Sequence, residues 1–440
     1  MLRPLFHSAL LALVLPACSE TPKELSGTIS VETPVEHATL LRIPRDGGEP
    51  QLYHLPALSE YEDWALRETL PNITEVVGVN LDDRLVYLHG DKDQILSLDL
   101  ETRNVRTVLP EISSAVVGPD GTLFAVTDSN QVWEVARRTM NRYTEKLPGP
   151  PAHLFGALGS RLLAVTGGDV PRIVRVTGAQ PTSPTMLPEG DVAATFWGDL
   201  VAVAADTAVV FFDPALDPPA PSREVDGHAI DVVFSPSGHR VYVLRRDESL
   251  LILDRFNEYD ELGDIDLPGT PAAIRSDPYG QWLLVRTAGR DSAWIVNTVT
   301  GKVVAAAPTV WGPVLPTVVS SRILLLAEEG DVVAYDLSEQ PWREVGRIPD
   351  AAGDAWVPLA WRPDDGTTTG ALTDDSVTAD SVTAAGEGEP VYLQVSSSRN
   401  QEWAEDLSDK LREAGLPATV LPPSSADGLS RVVLGPYRSR

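Results

Sequence analysis

Ile230-Asp231-Val232-Val233-Phe234, then Ser235-Pro236-Ser237-Gly238, then Arg240-Val241-Tyr242-Val243-Leu244 is the stretch whose reading decides the fold. Two apolar runs flank a turn of residues suited to tight reversal, which is the pattern of two paired antiparallel strands. A third run, Leu250-Leu251-Ile252-Leu253-Asp254, and a short segment ending at Leu267-Pro268 complete a four-strand phrase. The neighbouring copy gives Trp282 to Val285, then Ala293-Trp294-Ile295-Val296-Asn297, then the turn Thr300-Gly301-Lys302. The phrase recurs about every 40 residues, a period that marks a repeat architecture. Its third strand is the clearest marker. It appears at Ile95 to Asp99, Val132 to Val135, Ile173 to Val176, Val209 to Asp213, Leu250 to Asp254, Ala293 to Asn297 and Val332 to Asp336.

An eighth copy fits the N-terminal end, with Thr39 to Ile43 as its third strand, the turn Asp46-Gly47-Gly48, and a strand at Gln51 to Leu55. It lacks a first strand, and a spare first strand lies at Trp356 to Trp361. Strands from the two ends that share one sheet close a circular array and remove its open edges. The expectation is therefore a mainly β chain in which residues 31–363 form a β-propeller of eight blades, seven whole and one split. Seven blades is the alternative, with the terminal strands pendant. The copies resemble the WD40, YVTN and quinoprotein-like propeller families. The copy around Gly227-His228 and Phe234-Ser235-Pro236-Ser237-Gly238 is most similar to WD40. That resemblance implies a fold and no substrate.

The first 18 residues have a different character. Met1-Leu2-Arg3 precede an apolar run from Leu5 to Leu15, broken only by His7 and Ser8, and Pro16-Ala17-Cys18 follow. One positive residue, a short apolar core and a small residue before the cut make a secretory signal. The run falls short of the roughly 20 residues a spanning helix needs. Leu15-Pro16-Ala17-Cys18 resembles the bacterial lipobox, which implies a signal peptide over 1–17, cleavage before Cys18 and lipid on that cysteine. Cys18 is the only cysteine, so an internal disulfide is excluded. Residues 18–30 read as a tether. Ser19 after the cysteine resembles the pattern of lipoproteins sent to the outer membrane.

Charge excludes other classes. The chain carries 63 acidic and 35 basic residues, net −28. Nucleic-acid partners need Lys and Arg against phosphate, so none is expected. Electrostatic attachment to anionic lipid is excluded on the same ground. The seven histidines, His7, His37, His54, His89, His153, His228 and His239, show no metal-ligand spacing. No GxSxG elbow, P-loop or dinucleotide fingerprint occurs. No catalytic residue, metal or cofactor is assigned. Asp99, Asp213, Asp254 and Asp336, which end third strands, are expected to cap the following turns. Trp64, Trp197 and Trp311 are expected to pack between blades.

Residues 364–389 carry seven acidic and no basic residues, with the near-duplicate Asp375-Ser376-Val377-Thr378 and Asp380-Ser381-Val382-Thr383. Such composition cannot offset chain entropy and reads as a flexible linker with a reach of about 25–30 Å. Residues 390–440 are compact again. Val391-Tyr392-Leu393-Gln394-Val395 alternates as a strand, and Trp403, Ala404, Leu407, Leu411 and Ala414 share one helical face. Ala418 to Leu421 and Arg431 to Leu434 are further strands, and Gly435-Pro436-Tyr437 is expected to turn. Tyr392-x-Gln394-Val395, Leu411-Arg412-Glu413-Ala414-Gly415 and Arg431-Val432-Val433-Leu434-Gly435-Pro436-Tyr437 together resemble the SPOR domain, a small α+β, ferredoxin-like peptidoglycan-binding module. The family has Gly-Ser-Phe where Ser396-Ser397-Ser398 stand, and it continues with a second helix and a fourth strand. The resemblance thus implies a module incomplete at Arg440. It implies binding to peptidoglycan strands stripped of stem peptides, with Gln394, Ser396, Arg431 and Tyr437 as contacts.

These readings converge on a non-enzymatic envelope lipoprotein on the periplasmic side of the outer membrane. Its propeller is expected to bind an envelope protein while its last module holds the wall, with enrichment at the division site. Two alternatives stay open. One is a propeller lyase or lactonase acting on wall material, marked by a ring of His or carboxylate side chains at one channel mouth. The other is a scaffold for outer-membrane protein assembly.

Overall fold

The computed structural model describes residues 37–363, apart from 137–138, 158, 160, 169, 178–179 and 339, together with 390–398, 404–405, 407–408, 411–412, 418–421 and 430–438. The signal, tether and linker expected at 1–17, 18–30 and 364–389 lie outside the described residues. What is described falls into two compact units, one within Thr33–Thr378 and one within Ala379–Arg440.

The first unit is an eight-bladed propeller. Blade 1 is Ile73–Asn80, Leu85–Gly90, Ile95–Asp99 and Val105–Leu109. Blade 4 is Gly190–Ala194, Val201–Ala205, Ala208–Asp213 and Ala220–Asp226. Blade 5 is Ala229–Phe234, Arg240–Arg245, Ser249–Asp254 and Asp260–Asp266, and blade 6 begins with Pro271–Ser276. Blades 2, 3 and 7 begin with Ile112–Val117, Pro151–Ala157 and Thr317–Val319. Each of blades 1 to 7 is an antiparallel meander in sequence order, and the third blade adds a second short outer strand. First strands touch around the axis between blades 1 and 2, 2 and 3, 4 and 5, 5 and 6, and 8 and 1.

Burial explains why third strands carried the signal. Second and third strands sit between two neighbouring sheets and are covered on both faces, so they read as continuous apolar runs. Val201–Ala205 and Ser249–Asp254 are buried at every position. Outer strands such as Ala220–Asp226 are covered on little more than one edge and are mostly exposed. The core is therefore a set of slabs between blades. In one slab Tyr242 and Leu244 of blade 5 meet Ile274, Leu283, Val285 and Trp294 of blade 6.

Blade 8 closes the ring. Ala355–Leu359 pairs antiparallel with Thr39–Ile43, from Thr39 opposite Leu359 to Ile43 opposite Ala355. Gln51–His54 and then Ser59–Glu60 follow outward. Thr39–Ile43 is thus the second strand of its blade and Gln51–His54 the third, which corrects the sequence assignment. An N-terminal copy without its own first strand offers nothing to count from. Blade 8 is packed on both sides. Leu41, Ile43, Leu52, Val357 and Leu359 meet blade 1, while Leu40, Tyr53 and Trp356 meet blade 7. Arg42 Nε donates to Asp354 Oδ2 at 2.6 Å and Arg42 Nη1 to Gln51 Oε1 at 3.1 Å, which ties both chain ends across the seam.

Two buried charges are handled differently. Arg275, on the first strand of blade 6, donates to the carbonyls of Gly312, Pro313, Val314 and Pro316 and lies 4.7 Å from the Trp311 ring centroid. Burial lowers its pKa only to about 10, so it stays charged at neutral pH and fixes the 310–316 loop. Asp277 is 2% exposed, and neither carboxylate oxygen nor the nearby buried Tyr242 hydroxyl has a hydrogen-bond partner among the described residues. Burial pushes the Asp277 carboxyl up to about 6. Its folded-state pKa is above the unfolded value near 4, so the folded chain binds this proton more tightly. The associated stability is full below about pH 4 and is lost as pH rises through about 6. Asp277→Asn, neutral at every pH, is expected to be about 1–2 kcal/mol more stable than the parent at pH 7.5, a gain that vanishes at pH 4. Denaturant midpoints at the two pH values check this, and a variant no more stable than the parent at pH 7.5 sinks it.

The second unit has a three-stranded sheet in the order Pro390–Ser398, Ser430–Arg438, Ala418–Leu421, all antiparallel. Helical residues between 404 and 412 cover it, with Ala404, Leu407 and Leu411 packed on Val420 and Val432. The helical face expected from the sequence is this one, and Trp403 and Ala414 lie outside the described residues. Gly435-Pro436-Tyr437 does not turn. Ser430–Arg438 runs through it, and the register slips between Leu393–Leu434 and Val391–Tyr437. That slip places Gly435 and Pro436 against Tyr392 alone. A bulge there accommodates a proline, which has no amide to give the ladder.

Candidate functional site

The second unit gathers all four residues singled out for glycan contact onto two adjacent strands. Gln394 lies opposite Val433, Ser396 opposite Val432, and Tyr437 opposite Val391. Arg431, half-buried, lies opposite Ser397 on one side and Leu421 on the other. The register divides them. Val420 and Val432 face the helical cover, and residues alternate along a strand. Arg431 and Val433 therefore occupy the opposite face, and Gln394 shares the Val433 rung. Ser396 shares the Val432 rung, because a second bulge at Val395 shifts the parity between Gln394 and Ser396. Ser397 takes the rung beside Arg431, a position the sequence reading did not single out. The bulge that exchanges the two serines leaves no mark in residue type. The side chains of Gln394, Ser396 and Tyr437 are outside the described residues.

The propeller presents polar groups where first strands meet. The second rung of each first-strand ladder holds Glu75, Ser114, His153, Asp191, Asp231 and Ala273 in blades 1 to 6. In five of these blades a bulge precedes that residue, which hides the equivalence in an ungapped reading. Glu75 Oε1 lies 3.8 Å from His89 Nδ1. Asp231 is half-buried, and its Oδ2 accepts the Ile274 amide of blade 6 at 2.9 Å. Burial, with a smaller contribution from Asp191, pushes Asp231 up to about 6. The set is broken by Ser114 and Ala273. Among the described residues, no three His, Cys, Asp or Glu side chains are placed to hold a metal ion.

Third-strand acids cap their turns as expected. Asp99 Oδ1 accepts the amides of Glu101 and Thr102, Asp213 that of Ala215, Asp254 that of Phe256, and Asp336 that of Ser338. The three tryptophans divide. Trp64 is buried and donates to the Leu100 carbonyl at 3.1 Å, and Trp311 packs against the slab between blades 6 and 7. Trp197 does not pack between blades, because it sits in the turn between the first two strands of blade 4, 44% exposed beside Phe196. Among the described residues, no helix is long and apolar enough to cross a membrane.

Comparison with known proteins gives the two units separate standing. Residues 387–440 match the SPOR domain family. No curated protein matches the chain. Among solved structures, apo AztD from Citrobacter koseri is similar with a TM-score of 0.51 at 10% identity, over 72% of this chain and 97% of that chain. Dihydro-heme d1 dehydrogenase NirN in complex with DHE is similar with a TM-score of 0.53 at 13% identity, over 76% of this chain and 78% of that one. Identities this low show the propeller fold and carry no chemistry across.

Proposed function

We propose that this chain is a non-enzymatic cell-envelope protein that holds peptidoglycan glycan strands through residues 387–440 and presents its propeller to another envelope protein. The match of those residues to the SPOR domain carries the reading. The sheet supports it, with one face under the helical cover and the rungs of Gln394, Arg431 and Ser397 on the opposite face. Peptidoglycan glycan offers hydroxyl and N-acetyl groups and little charge. The residue types on these rungs, an amide at Gln394, a guanidinium at Arg431 and a hydroxyl at Ser397, suit it, and Ser396 and Tyr437 stand on the same two strands. The lipid on Cys18 anchors the chain to the periplasmic side of the outer membrane, and binding to denuded strands concentrates it where the wall is being divided.

The test is co-sedimentation with purified sacculi. The parent chain is expected to sediment, and Gln394→Ala with Arg431→Ala to bind about tenfold more weakly, the size of loss seen when central contacts of an interface are removed. A parent chain that stays in the supernatant rules the reading out.

A further inference from the structure

We infer that Phe196, Trp197 and Phe256 form a second glycan-contacting surface, on the propeller itself, for an uncharged N-acetylated sugar strand. This inference rests on the reading of residues 387–440 as a glycan binder.

The three rings are brought together by topology. Phe196 and Trp197 lie in the turn between the first and second strands of blade 4, and Phe256 in the turn between the third and fourth strands of blade 5. In an antiparallel meander both kinds of turn fall at the same end of the sheet. An ion pair joins them. Arg255 Nη2 donates to Asp199 Oδ2 at 2.7 Å and Nη1 to Asp199 Oδ1 at 3.2 Å. Phe196 and Trp197 are 5.3 Å apart edge to face, and the Arg255 guanidinium lies 5.1 Å from the Phe256 ring centroid. Their exposures are 48%, 44% and 55%. Large apolar side chains left together in water mark an interaction surface.

The surface is held in shape. Gly198 has φ +63°, and a Cβ there would come within 2.2 Å of the Ala157 side chain of blade 3, so the turn is seated on its neighbour. Thr195 Oγ1 donates to Asp199 Oδ1 at 2.7 Å. Groups fixed before binding lose little entropy on contact.

The occupant follows from chemistry and connectivity. Aromatic faces take the C–H face of a sugar ring, and the part-exposed Asp199–Arg255 pair offers an acceptor and donors to hydroxyl and N-acetyl groups. A net charge of −28 repels anionic lipid and nucleic acid and is indifferent to a neutral glycan. Both ends of the propeller chain also lie at this end of the blades. Thr39 pairs with Leu359 there, Thr39 Oγ1 donates to the Trp361 carbonyl, and His37 meets Tyr279 and Ser320 in first-to-second-strand turns. The described residues of the propeller therefore begin, at His37, and end, at Pro363, beside the aromatic-bearing end. Two sites on one chain raise each other's effective concentration.

The experiment titrates denuded glycan strands, prepared by amidase digestion of sacculi, into the full chain, Trp197→Ala/Phe256→Ala, Trp197→Phe, and a chain ending at residue 386. Both turns are exposed, and thermal melting confirms folding. The expected result is about fivefold weaker binding by the double variant, near-parental binding by Trp197→Phe, and weak residual binding by the shortened chain that Trp197→Ala removes. Parental affinity in the double variant overturns the proposal and leaves the SPOR reading intact. No binding by the full chain overturns both. If the same variant instead loses binding to anionic-lipid vesicles or a crosslinked protein while keeping glycan affinity, the surface serves that other partner and the proposal is wrong.

Discussion

A chain ending at residue 386 is expected to sediment with sacculi about tenfold less than the full chain, while its propeller melts at the parental temperature. The two halves of this expectation have separate causes. The strands proposed to contact glycan, Pro390–Ser398 and Ser430–Arg438, lie wholly in the removed part, as does the cluster of Ala404, Leu407 and Val432 that supports them. The propeller takes all its strands from Thr39–Leu359 and closes through Thr39–Ile43 and Ala355–Leu359. A tenfold loss corresponds to about 1.4 kcal/mol, a small part of what a specific interface supplies, and the remaining binding is expected from the proposed aromatic surface. Undiminished sedimentation of the shortened chain would assign wall binding elsewhere.

Trp356→Ala is expected to cost the propeller about 3–5 kcal/mol, as large-to-small changes at buried aromatics do. Trp356 is among the largest fully buried side chains, and it fills the slab between blades 7 and 8 with Leu40, Tyr53, Val319 and Leu325. Its Nε1 donates to the Ala351 carbonyl at 3.0 Å, which fixes the turn that feeds the closing strand. Truncation opens a cavity beside the seam and removes one of the two donors to that carbonyl, leaving it the Asp354 amide alone. Trp356→Phe keeps most of the packing and loses the hydrogen bond, so it is expected to cost about 1 kcal/mol. Chemical denaturation of the three proteins gives both numbers. A shift below 1 kcal/mol for the alanine variant would mean that blade 8 does not hold the ring shut.

The propeller was legible because its second and third strands are sandwiched, and sandwiched strands must be apolar throughout. Seven of the third strands stand where the repeat put them. The eighth was misplaced by one position, since the strand that sets the count is supplied from Ala355–Leu359, more than 300 residues away. The equivalence of Glu75, His153, Asp191 and Asp231 was hidden by bulges, which add a residue to one strand without changing its composition. A bulge likewise moved Ser397, in place of Ser396, beside Arg431, and another carried Ser430–Arg438 through Gly435-Pro436 where a turn was expected. Trp197 was expected inside on residue type alone. Its exposure follows from a turn pinned by Gly198 and Asp199, and such a turn is set by neighbours on blades 3 and 5.

The closing pair has a mechanical consequence. Both chain ends leave from the rung where Thr39 faces Leu359. A pull that separates those ends loads the His37 and Trp361 contacts first and then peels the pair open one hydrogen bond at a time, toward Ile43 and Ala355. Once the His37 contacts to Ser320 and Tyr279 have given way, the force passes between the two ends of the propeller through these two short strands. Blades 1 to 5 lie off the load path, so the ring can bear a tug at its seam without transmitting it to the aromatic turns of blades 4 and 5.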